Sequence, residues 1–361
     1  MMSDAASNLP SNIRVAAESL EKFCREAIRT AGADWPTADA ATRAMMHASR
    51  LGIDSHGVRM LAHYRRAISK GRVNGRPELR FTREFGSTAL LDADNAHGAL
   101  ATYAAMKRAI AIADRAGLGA VAIQNSSHFG AAGAYPLVAA EAGMIGFCVC
   151  NADAIVRLHG GAEKFHGTNP IAAAVPVPGE RPWLLDVPTS AMPLQRVNLY
   201  KSLGKRLPPG MASDAEGKDT DDPSKVAMLV PLGGETVGYK GAGLAGLAEI
   251  LSTALTGMGL SFELIGMVGD DLSTPRRLGA FVMVINPTAF VDKDVFDARI
   301  LRYLAALRGS RSAAGGTVLA PGDREWAEEE RRRKEGIPLD PQTVRDFADI
   351  SQETGIASIV S

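Results

Sequence analysis

The sequence predicts an α/β protein in which helices and strands alternate along the chain. Helical and strand-like patterns follow one another through the first half, and residues 120–150 form a strand, loop, helix, strand unit. The 361 residues are enough for two domains of about 100–200 residues each. The composition, 46% hydrophobic with 37 glycines, is that of ordinary globular proteins and differs from disordered or fibrous chains.

The start of the chain predicts three helices. Apolar residues at helical spacing indicate a helix over residues 12–31. A second helix is expected from Thr37, a candidate N-cap, to Leu51, and a third over Val58–Lys70. The short polar linker Asp54-Ser55-His56-Gly57 joins the second helix to the third.

The remaining elements are predicted from apolar runs and helical periodicity in the same way. Strands are expected at Ala89–Asp92, Ala120–Gln124, Ile145–Cys150, Ile171–Val175, Trp183–Val187 and Phe281–Asn286. Helices are expected at Ala99–Ala116, Ala134–Ala142, Gly241–Leu260, Asp294–Leu307, residues 320–334 and Gln342–Thr354. The stretch Lys205–Ser224, rich in Pro, Gly and Asp, predicts a long exposed loop.

Charge and cysteine content exclude several classes of function. The 40 basic residues balance the 40 acidic ones, so the chain has no electrostatic footprint for nucleic acid or an anionic membrane. The three cysteines predict buried free thiols, and the polar N-terminus predicts no secretory signal, so we expect a cytoplasmic location. The apolar segment Gly241–Leu260 carries Glu249 near its middle, which predicts a helix buried in the protein or against a second subunit.

All seven histidines lie in the first half of the chain, which places imidazole chemistry there. His56 is the leading candidate for acid–base catalysis, since it begins a helix, where backbone N–H groups favour an anionic substrate. Ser55 can hydrogen-bond the imidazole, and Arg59 can bind a carboxylate. The motif alone is more simply explained as a helix cap beside an exposed histidine. His97 and His159 are interpreted as solvated loop histidines.

Two further segments indicate an anionic ligand. In the loop Asn125–Gly133, between a strand and a helix, glycines allow backbone N–H groups to wrap a phosphate. The Gly-x-Gly-x-x-Gly fingerprint is missing, so a tight turn without a ligand explains the loop equally well. Lys240 precedes the predicted helix Gly241–Leu260, at its positive end, which indicates a nearby anion. No spacing typical of a metal site, a nucleophile elbow or a P-loop is present, so no metal, hydrolase or kinase is predicted.

Seven segments together resemble the malate/L-lactate dehydrogenase family that is distinct from the Rossmann-type lactate and malate dehydrogenases. They keep the family's order and spacing from about residue 14 to 335. The segments are Gly52–Gly57, Asp92–Asn95, Asn125–Gly133, Gly160–Pro170, Asp186–Ser190, Tyr239–Ala245 and Pro321–Asp323.

The resemblance implies a fold that composition does not reveal. It implies a non-Rossmann NAD(P)-binding domain with a largely antiparallel sheet, a mainly helical domain built from both chain ends, and a homodimer. The helical domain is expected over residues 1–75 and 295–361. The NAD(P)-binding and substrate region is expected over residues 76–294, with a helical excursion around 191–260.

The same resemblance implies roles for individual residues. His56 is expected to be the proton donor with Ser55 assisting, and Thr168 and Asn169 are expected near the substrate. The residues expected to contact NAD(P) are His128, Phe129, Gly130, Ala131, Ala132, Asp186, Val187, Pro188, Thr189, Lys240, Pro321, Gly322 and Asp323.

Two positions depart from the family pattern. The family's substrate-carboxylate arginine, four residues after the histidine, is replaced by Met60, and Arg59 lies one position earlier. The imine-reductase members carry an aspartate where this chain has Arg196, and most hydroxy-acid members carry a lysine there, which favours a hydroxy acid. Arg59 and Arg196 are therefore the two candidates for carboxylate binding.

The sequence thus predicts an NAD(P)-dependent oxidoreductase that interconverts a malate- or lactate-like 2-hydroxy acid and its 2-oxo acid. A cyclic imino-acid (ketimine) reductase is the alternative. A non-catalytic cofactor-binding protein is a further alternative, because Met60 replaces the family arginine. The expected partners are the small-molecule acid and a second copy of the chain, with no nucleic acid and no membrane.

Overall fold

The computed structural model describes residues 13–202, 204–313 and 315–360, and these form ten α-helices and thirteen strands. The helices are α1 (Ala17–Thr30), α2 (Trp35–Arg50), α3 (Leu61–Ser69), α4 (Gly98–Ala116), α5 (Pro136–Glu141), α6 (Leu194–Ser202), α7 (Gly234–Glu249), α8 (Lys293–Arg308), α9 (Asp323–Glu335) and α10 (Pro341–Thr354). The strands are β1 (Arg14–Val15), β2 (Arg80–Phe85), β3 (Thr88–Asp92), β4 (Leu118–Ser126), β5 (Ile145–Cys150), β6 (Val156–Arg157), β7 (Lys164–His166), β8 (Ile171–Val175), β9 (Trp183–Val187), β10 (Ala212–Ser213), β11 (Met228–Leu229), β12 (Leu278–Ile285) and β13 (Ile337–Pro338).

Seven strands form the main sheet, in the order β2-β3-β4-β12-β5-β8-β9. The pair β3 and β4 is parallel, and the other five neighbouring pairs are antiparallel. The predicted α/β fold with a largely antiparallel sheet is therefore confirmed. A smaller sheet follows the order β10-β11-β6-β7.

Helix α4 lies directly on the main sheet. A Cβ added at Gly119 of β4 would come within 2.1 Å of the Ala109 carbonyl oxygen, so only glycine permits this approach. Alanines of α4 pack with Val121 and Val282 into one fully buried apolar cluster. The close contact holds α4 against the start of β4, at the opposite end of that strand from the cleft described below.

The two chain ends meet in a second apolar cluster. The Phe23 and Phe347 rings lie 4.9 Å apart, so α1 packs on α10, and β1 pairs with β13. Residues of α2 and α3 complete this cluster. Leu304 of α8 instead packs with Val177, just beyond β8 at the edge of the main sheet. The division into the two domains expected above stays a prediction.

Several predicted boundaries differ from the structure. The first helix begins at Ala17 because residues 14–15 pair with the distant β13. The N-cap of α2 is Asp34, which accepts a hydrogen bond from the backbone N–H of Thr37 at 2.8 Å. The third predicted helix is divided into a 3₁₀ turn, Val58–Met60, and α3. The predicted loop 205–224 contains β10, which pairs with β11.

The predicted helix Gly241–Leu260 begins earlier in the structure, at Gly234, and has non-helical dihedral angles at Val237. It ends in a π-helical turn over Ile250–Ala254. One face of it is buried within the chain, and burial of the other face against a second subunit stays a prediction. Leu247 and Ile250, on the other face, are 49% and 58% exposed. Across the described ranges, no helix is long and apolar enough to cross a membrane.

Candidate active site

A cleft opens where the ends of β4 and β5 meet the start of β12. It holds about 480 Å³ of empty space, including space open to solvent. Backbone from all three strands contributes to its wall. Polar residues that line it include His56, Ser127, His128, Thr168 and Arg276.

His56 reaches the cleft from a 3₁₀ turn over Asp54–His56. The turn is held by Ser49, whose hydroxyl oxygen accepts a hydrogen bond from the backbone N–H of Val58 at 2.9 Å. A Cβ at Gly57 would lie 2.2 Å from the same oxygen, so the glycine of the motif is sterically required. The Ser55 hydroxyl lies 2.9 Å from His56 Nδ1, as the sequence suggested. Burial lowers the pKa of the His56 imidazole below its ordinary value of 6.5.

His128 faces His56 across the cleft. The two rings are stacked with their centroids 5.7 Å apart and an interplanar angle of 18°. The Tyr64 hydroxyl of α3 lies 2.8 Å from His128 Nδ1. Burial, and then the nearby His56 and Arg276, hold the pKa of His128 well below its ordinary value. Both imidazoles are therefore neutral near pH 7, and each has a hydroxyl group at Nδ1.

His97 lies behind this pair and is fully buried, so its interpretation as a solvated histidine is wrong. Its Nδ1 accepts a hydrogen bond from the backbone N–H of Ala99 and so caps α4. The Tyr64 ring contacts it edge-on, with the centroids 4.3 Å apart. The role of His97 in the structure is to begin a helix next to the cleft.

The arginine that the structure brings to the cleft is one that the sequence analysis missed. Arg59 and Arg196 are both exposed, and neither is among the described residues that line the cleft. Arg276, just before β12, lines it instead, with its side chain only 3% exposed. Its guanidinium donates a 2.5 Å hydrogen bond to Asp153. The segment Thr-Pro-Arg-Arg (274–277), just before an apolar strand, was the only sequence signal for this arginine. Nothing in the local sequence relates that segment to His56.

The adjacent residues Thr168 and Asn169 have different surroundings. Thr168 lines the cleft, and its carbonyl oxygen accepts hydrogen bonds from both the backbone N–H and the hydroxyl of Thr189. Asn169 is fully buried, and its amide donates to the Glu249 carboxylate at 2.6 Å. Its carbonyl oxygen accepts from the backbone N–H of Ala152. The structure therefore brings Thr168, and not the Asn169 side chain, to the cleft.

Two segments expected at the cofactor lie side by side. The Asp186 carboxylate at the end of β9 accepts a 2.7 Å hydrogen bond from the backbone N–H of Gly133. Burial raises the pKa of Asp186 to about 6, and the Gly133 N–H partly offsets this. On the same strand, Leu184 donates its N–H to the carbonyl oxygen of Pro321, next to Gly322. The Asp186–Thr189 and Pro321–Asp323 segments are thus held together around a half-buried carboxylate.

The other residues expected at the cofactor differ in burial: some lie in the core and some line the cleft. Phe129 stacks on Tyr135 in the core, with ring centroids 5.0 Å apart, and Ala131 and Ala132 are buried. Gly130 has a positive φ of 83° and lines the cleft, with Phe129 beside it. The carboxylate of Asp323 is bound by Arg308.

Lys240 is exposed and lies within α7, in the first turn after the irregular Val237. The helix therefore begins before Lys240, which corrects its predicted place ahead of the first turn. In the described ranges, no three His, Cys, Asp or Glu side chains are grouped to hold a metal ion.

A sequence profile of the malate/L-lactate dehydrogenase family matches residues 15–348. The chain belongs to this family. Among its relatives, a malate dehydrogenase of Pyrococcus abyssi is 33% identical over 354 residues, which cover 96% of each chain. A ureidoglycolate dehydrogenase (NAD(+)) of Escherichia coli O157:H7 is 32% identical, over 91% of this chain and 93% of that protein.

Solved structures of the family agree with the fold. The structure of malate dehydrogenase from Pyrococcus horikoshii OT3 matches with a TM-score of 0.88 and 30% identity, covering 98% of this chain and 99% of that one. A Δ1-piperideine-2-carboxylate reductase from Pseudomonas syringae matches with a TM-score of 0.82 and 27% identity, covering 94% and 99%. The chain is therefore a member of an enzyme family whose named relatives are dehydrogenases of hydroxy acids, with an imino-acid reductase among its structural neighbours.

Proposed function

We propose that this protein is an NAD(P)-dependent oxidoreductase that interconverts a malate- or lactate-like 2-hydroxy acid and its 2-oxo acid. The observation that carries the proposal is the pair of neutral imidazoles, His56 and His128, stacked in one cleft with a hydroxyl at each Nδ1. Oxidation of an alcohol requires a base that is unprotonated at the working pH, and burial keeps His56 in that form. Membership of the family supports the same chemistry.

In this proposal His56 exchanges the substrate proton. The Ser55 hydroxyl lies 2.9 Å from Nδ1. In the tautomer that this role requires, Nδ1–H donates to the Ser55 hydroxyl oxygen and the lone pair of Nε2 is left for the substrate. Nε2 accepts the hydroxyl proton when the hydroxy acid is oxidised, and the imidazolium returns that proton to the carbonyl oxygen in the reverse direction. Thr168 and Ser127 add hydroxyl groups to the same cleft, where they orient the substrate.

The residues present fit a nicotinamide dinucleotide. Oδ2 of the half-buried Asp186 carboxylate accepts a hydrogen bond from the backbone N–H of Gly133. The carboxylate can accept further hydrogen bonds, and ribose hydroxyl groups are suitable donors. Thr189 and Pro321 lie beside it, His128 and Gly130 face the cleft, and Lys240 offers a cation for the phosphates. When bound, the nicotinamide supplies or accepts the hydride.

Two alternatives remain distinct from this proposal. A cyclic imino-acid reductase is supported by the similarity to the Pseudomonas syringae enzyme. A cofactor-binding protein without turnover is supported by the absence of an arginine at Met60, although the cleft does contain Arg276.

One assay separates the three functions. The purified protein is mixed with NADH or NADPH and with oxaloacetate, pyruvate or a cyclic ketimine acid, and the absorbance of the reduced nicotinamide is followed. We expect turnover with at least one 2-oxo acid. Turnover confined to the ketimine acid would identify the reductase, and cofactor binding without turnover on any compound would identify the non-catalytic protein.

We further propose that the protein is a cytoplasmic homodimer. The exposed apolar face formed by Leu244 and Leu247 of α7 and by Ile250 of the π-helical turn after it is the surface for the second copy. The described cysteines are free and buried, which suits a reducing compartment. Light scattering should give twice the 38.0 kDa chain mass, and a monomer at micromolar concentration would refute the dimer.

A further inference from the structure

Arg276 is a buried cation at the wall of the cleft. Its side chain is 3% exposed, and the residue lies just before β12, far from His56 in the sequence. Of the described residues that line the cleft, Arg276 is the only lysine or arginine. A guanidinium is costly to bury unless its charge is balanced and its N–H groups are hydrogen-bonded.

In the described part of the chain, protein groups accept hydrogen bonds from only two of the three nitrogen atoms of this guanidinium. Nη2 donates to Asp153 at 2.5 Å, and Nε donates to the Ile265 carbonyl oxygen at 2.8 Å. No hydrogen bond within the described residues uses Nη1. These two anchors hold the side chain in one orientation and leave N–H donors at the cleft.

A second buried guanidinium, that of Arg72, lies close enough to Arg276 for the two charges to act on each other. Arg72 is 2% exposed, and its Nε lacks a hydrogen-bond partner among the described residues. Burial, and then the field of Arg276, lower the pKa of the Arg72 guanidinium, and Asp271 and then Asp153 act in the opposite direction. Burial and the same two arginines, together with Arg66, lower the pKa of His63 to about 4. Arg276 is paired with Asp153, and Asp271 and then Asp153 act on Arg72. The Nη1 group of Arg276, unbonded within the described residues, is therefore what favours an anion at this wall of the cleft.

We propose that Arg276, oriented by Asp153, binds the carboxylate of the substrate in place of the family arginine that Met60 replaces. The inference rests on the proposed hydroxy-acid dehydrogenase function and assigns its substrate-binding cation. It differs from the sequence prediction, since Arg59 and Arg196 are exposed and do not line the cleft. Because Arg276 and His56 line the same cleft from different segments, one substrate can contact both.

The test uses oxamate, an unreactive analogue of a 2-oxo acid, and measures its binding by calorimetry on the full chain saturated with NADH. We expect Arg276→Met to weaken oxamate binding about 10–100-fold, the effect of losing one charge-assisted contact. NADH binding should stay within about twofold, which separates a carboxylate site from a cofactor-phosphate site. Arg277→Met, which removes an exposed neighbouring guanidinium, is the matched control and should change neither.

Removing Arg276 leaves Asp153 without its partner, so two further variants distinguish binding from folding. Asp153→Asn keeps the guanidinium and removes its counter-charge, so oxamate should bind at least as tightly as to the parent. The Asp153→Asn, Arg276→Met double variant removes both charges and should bind oxamate as weakly as Arg276→Met. Equal losses in Asp153→Asn and Arg276→Met would show a merely structural ion pair and overturn the proposal.

Two other outcomes also decide the question. The role of Arg276 is overturned if the parent does not bind oxamate, or if a folded Arg276→Met protein binds it unchanged. It is also overturned if only Arg59→Met or Arg196→Met loses oxamate binding. If the parent reduces no 2-oxo acid but binds oxamate through Arg276, the proposed function fails while the anion site is supported.

Discussion

Arg332 of α9 donates two hydrogen bonds to the Asp54 carboxylate, at 2.5 Å and 2.9 Å, across 278 residues of sequence. The same guanidinium donates to the Ser49 carbonyl oxygen at 2.8 Å and to Glu328. Arg332 is 6% exposed. The turn that carries His56 is therefore held from the C-terminal part of the chain as well as by its own glycine.

Arg332→Met should destabilise the protein and disturb the His56 turn. The substitution leaves the Ser49 carbonyl oxygen and Asp54 without their donor, which costs about 1–3 kcal/mol for a buried hydrogen-bonding group. Urea unfolding followed by circular dichroism measures the loss. The control is Arg333→Met, at the next position of the same helix, where the exposed guanidinium is bound to Glu330. Its free energy of unfolding should stay within about 0.5 kcal/mol of that of the parent. Equal stabilities of the two variants would contradict the role of Arg332.

His56→Ala should lower kcat by about 10²–10⁴-fold, the range for losing a general acid or base. Cofactor affinity should change little, because Asp186 and the residues around it remain. Steady-state kinetics with an oxo acid and a fluorescence titration with NADH measure the two quantities. Unchanged turnover would return His56 to the role of a residue in a capping turn.

His128→Ala and Lys240→Ala should weaken NAD(P)H binding more than they destabilise the fold. His128 faces the cleft, and Lys240 is an exposed cation near the start of α7. Lys225→Ala, at an exposed loop lysine, is the control for loss of a positive charge. Titrations that match the parent for both variants would remove these residues from the cofactor site.

The buried His97 should make the protein sensitive to acid. Burial, and then the field of His63, lower the pKa of His97 to about 3 from an ordinary value of 6.5. The unfolded chain therefore binds a proton that the folded chain excludes as pH falls below 6.5. Stability falls by about 1.4 kcal/mol per pH unit for such a residue in this window.

His97→Asn tests this expectation, since asparagine can also cap α4 but does not titrate. Between pH 7 and pH 5, the variant should lose about 2 kcal/mol less stability than the parent. Urea denaturation at the two pH values gives the difference, whatever the stability of the variant at pH 7. Equal losses in the two proteins would show that His97 does not contribute to acid sensitivity.

Local patterns were sufficient for six of the seven strands of the main sheet and for the histidine motif; the exposed edge strand β2 (Arg80–Phe85) was missed, because it has no apolar run. The predicted strands Ile145–Cys150, Ile171–Val175 and Trp183–Val187 coincide with β5, β8 and β9, because each is a short apolar run bounded by polar or turn-forming residues. The Ser-His-Gly motif of His56 is equally local: adjacent residues provide the hydroxyl at Nδ1 and the tight turn.

Tertiary structure decided which residues share the cleft. The two-residue strands β1 and β10 have little preference of their own and exist because distant partners, β13 and β11, supply their hydrogen bonds. In the same way, Arg276 reaches the cleft because β12 pairs antiparallel with both β4 and β5, with Ala280 opposite Ile123 and Cys150. Sequence by itself determined the family, the apolar strands of the main sheet and the imidazole at the site. The buried cation in the same cleft depends on pairing between segments more than a hundred residues apart, which no local periodicity encodes.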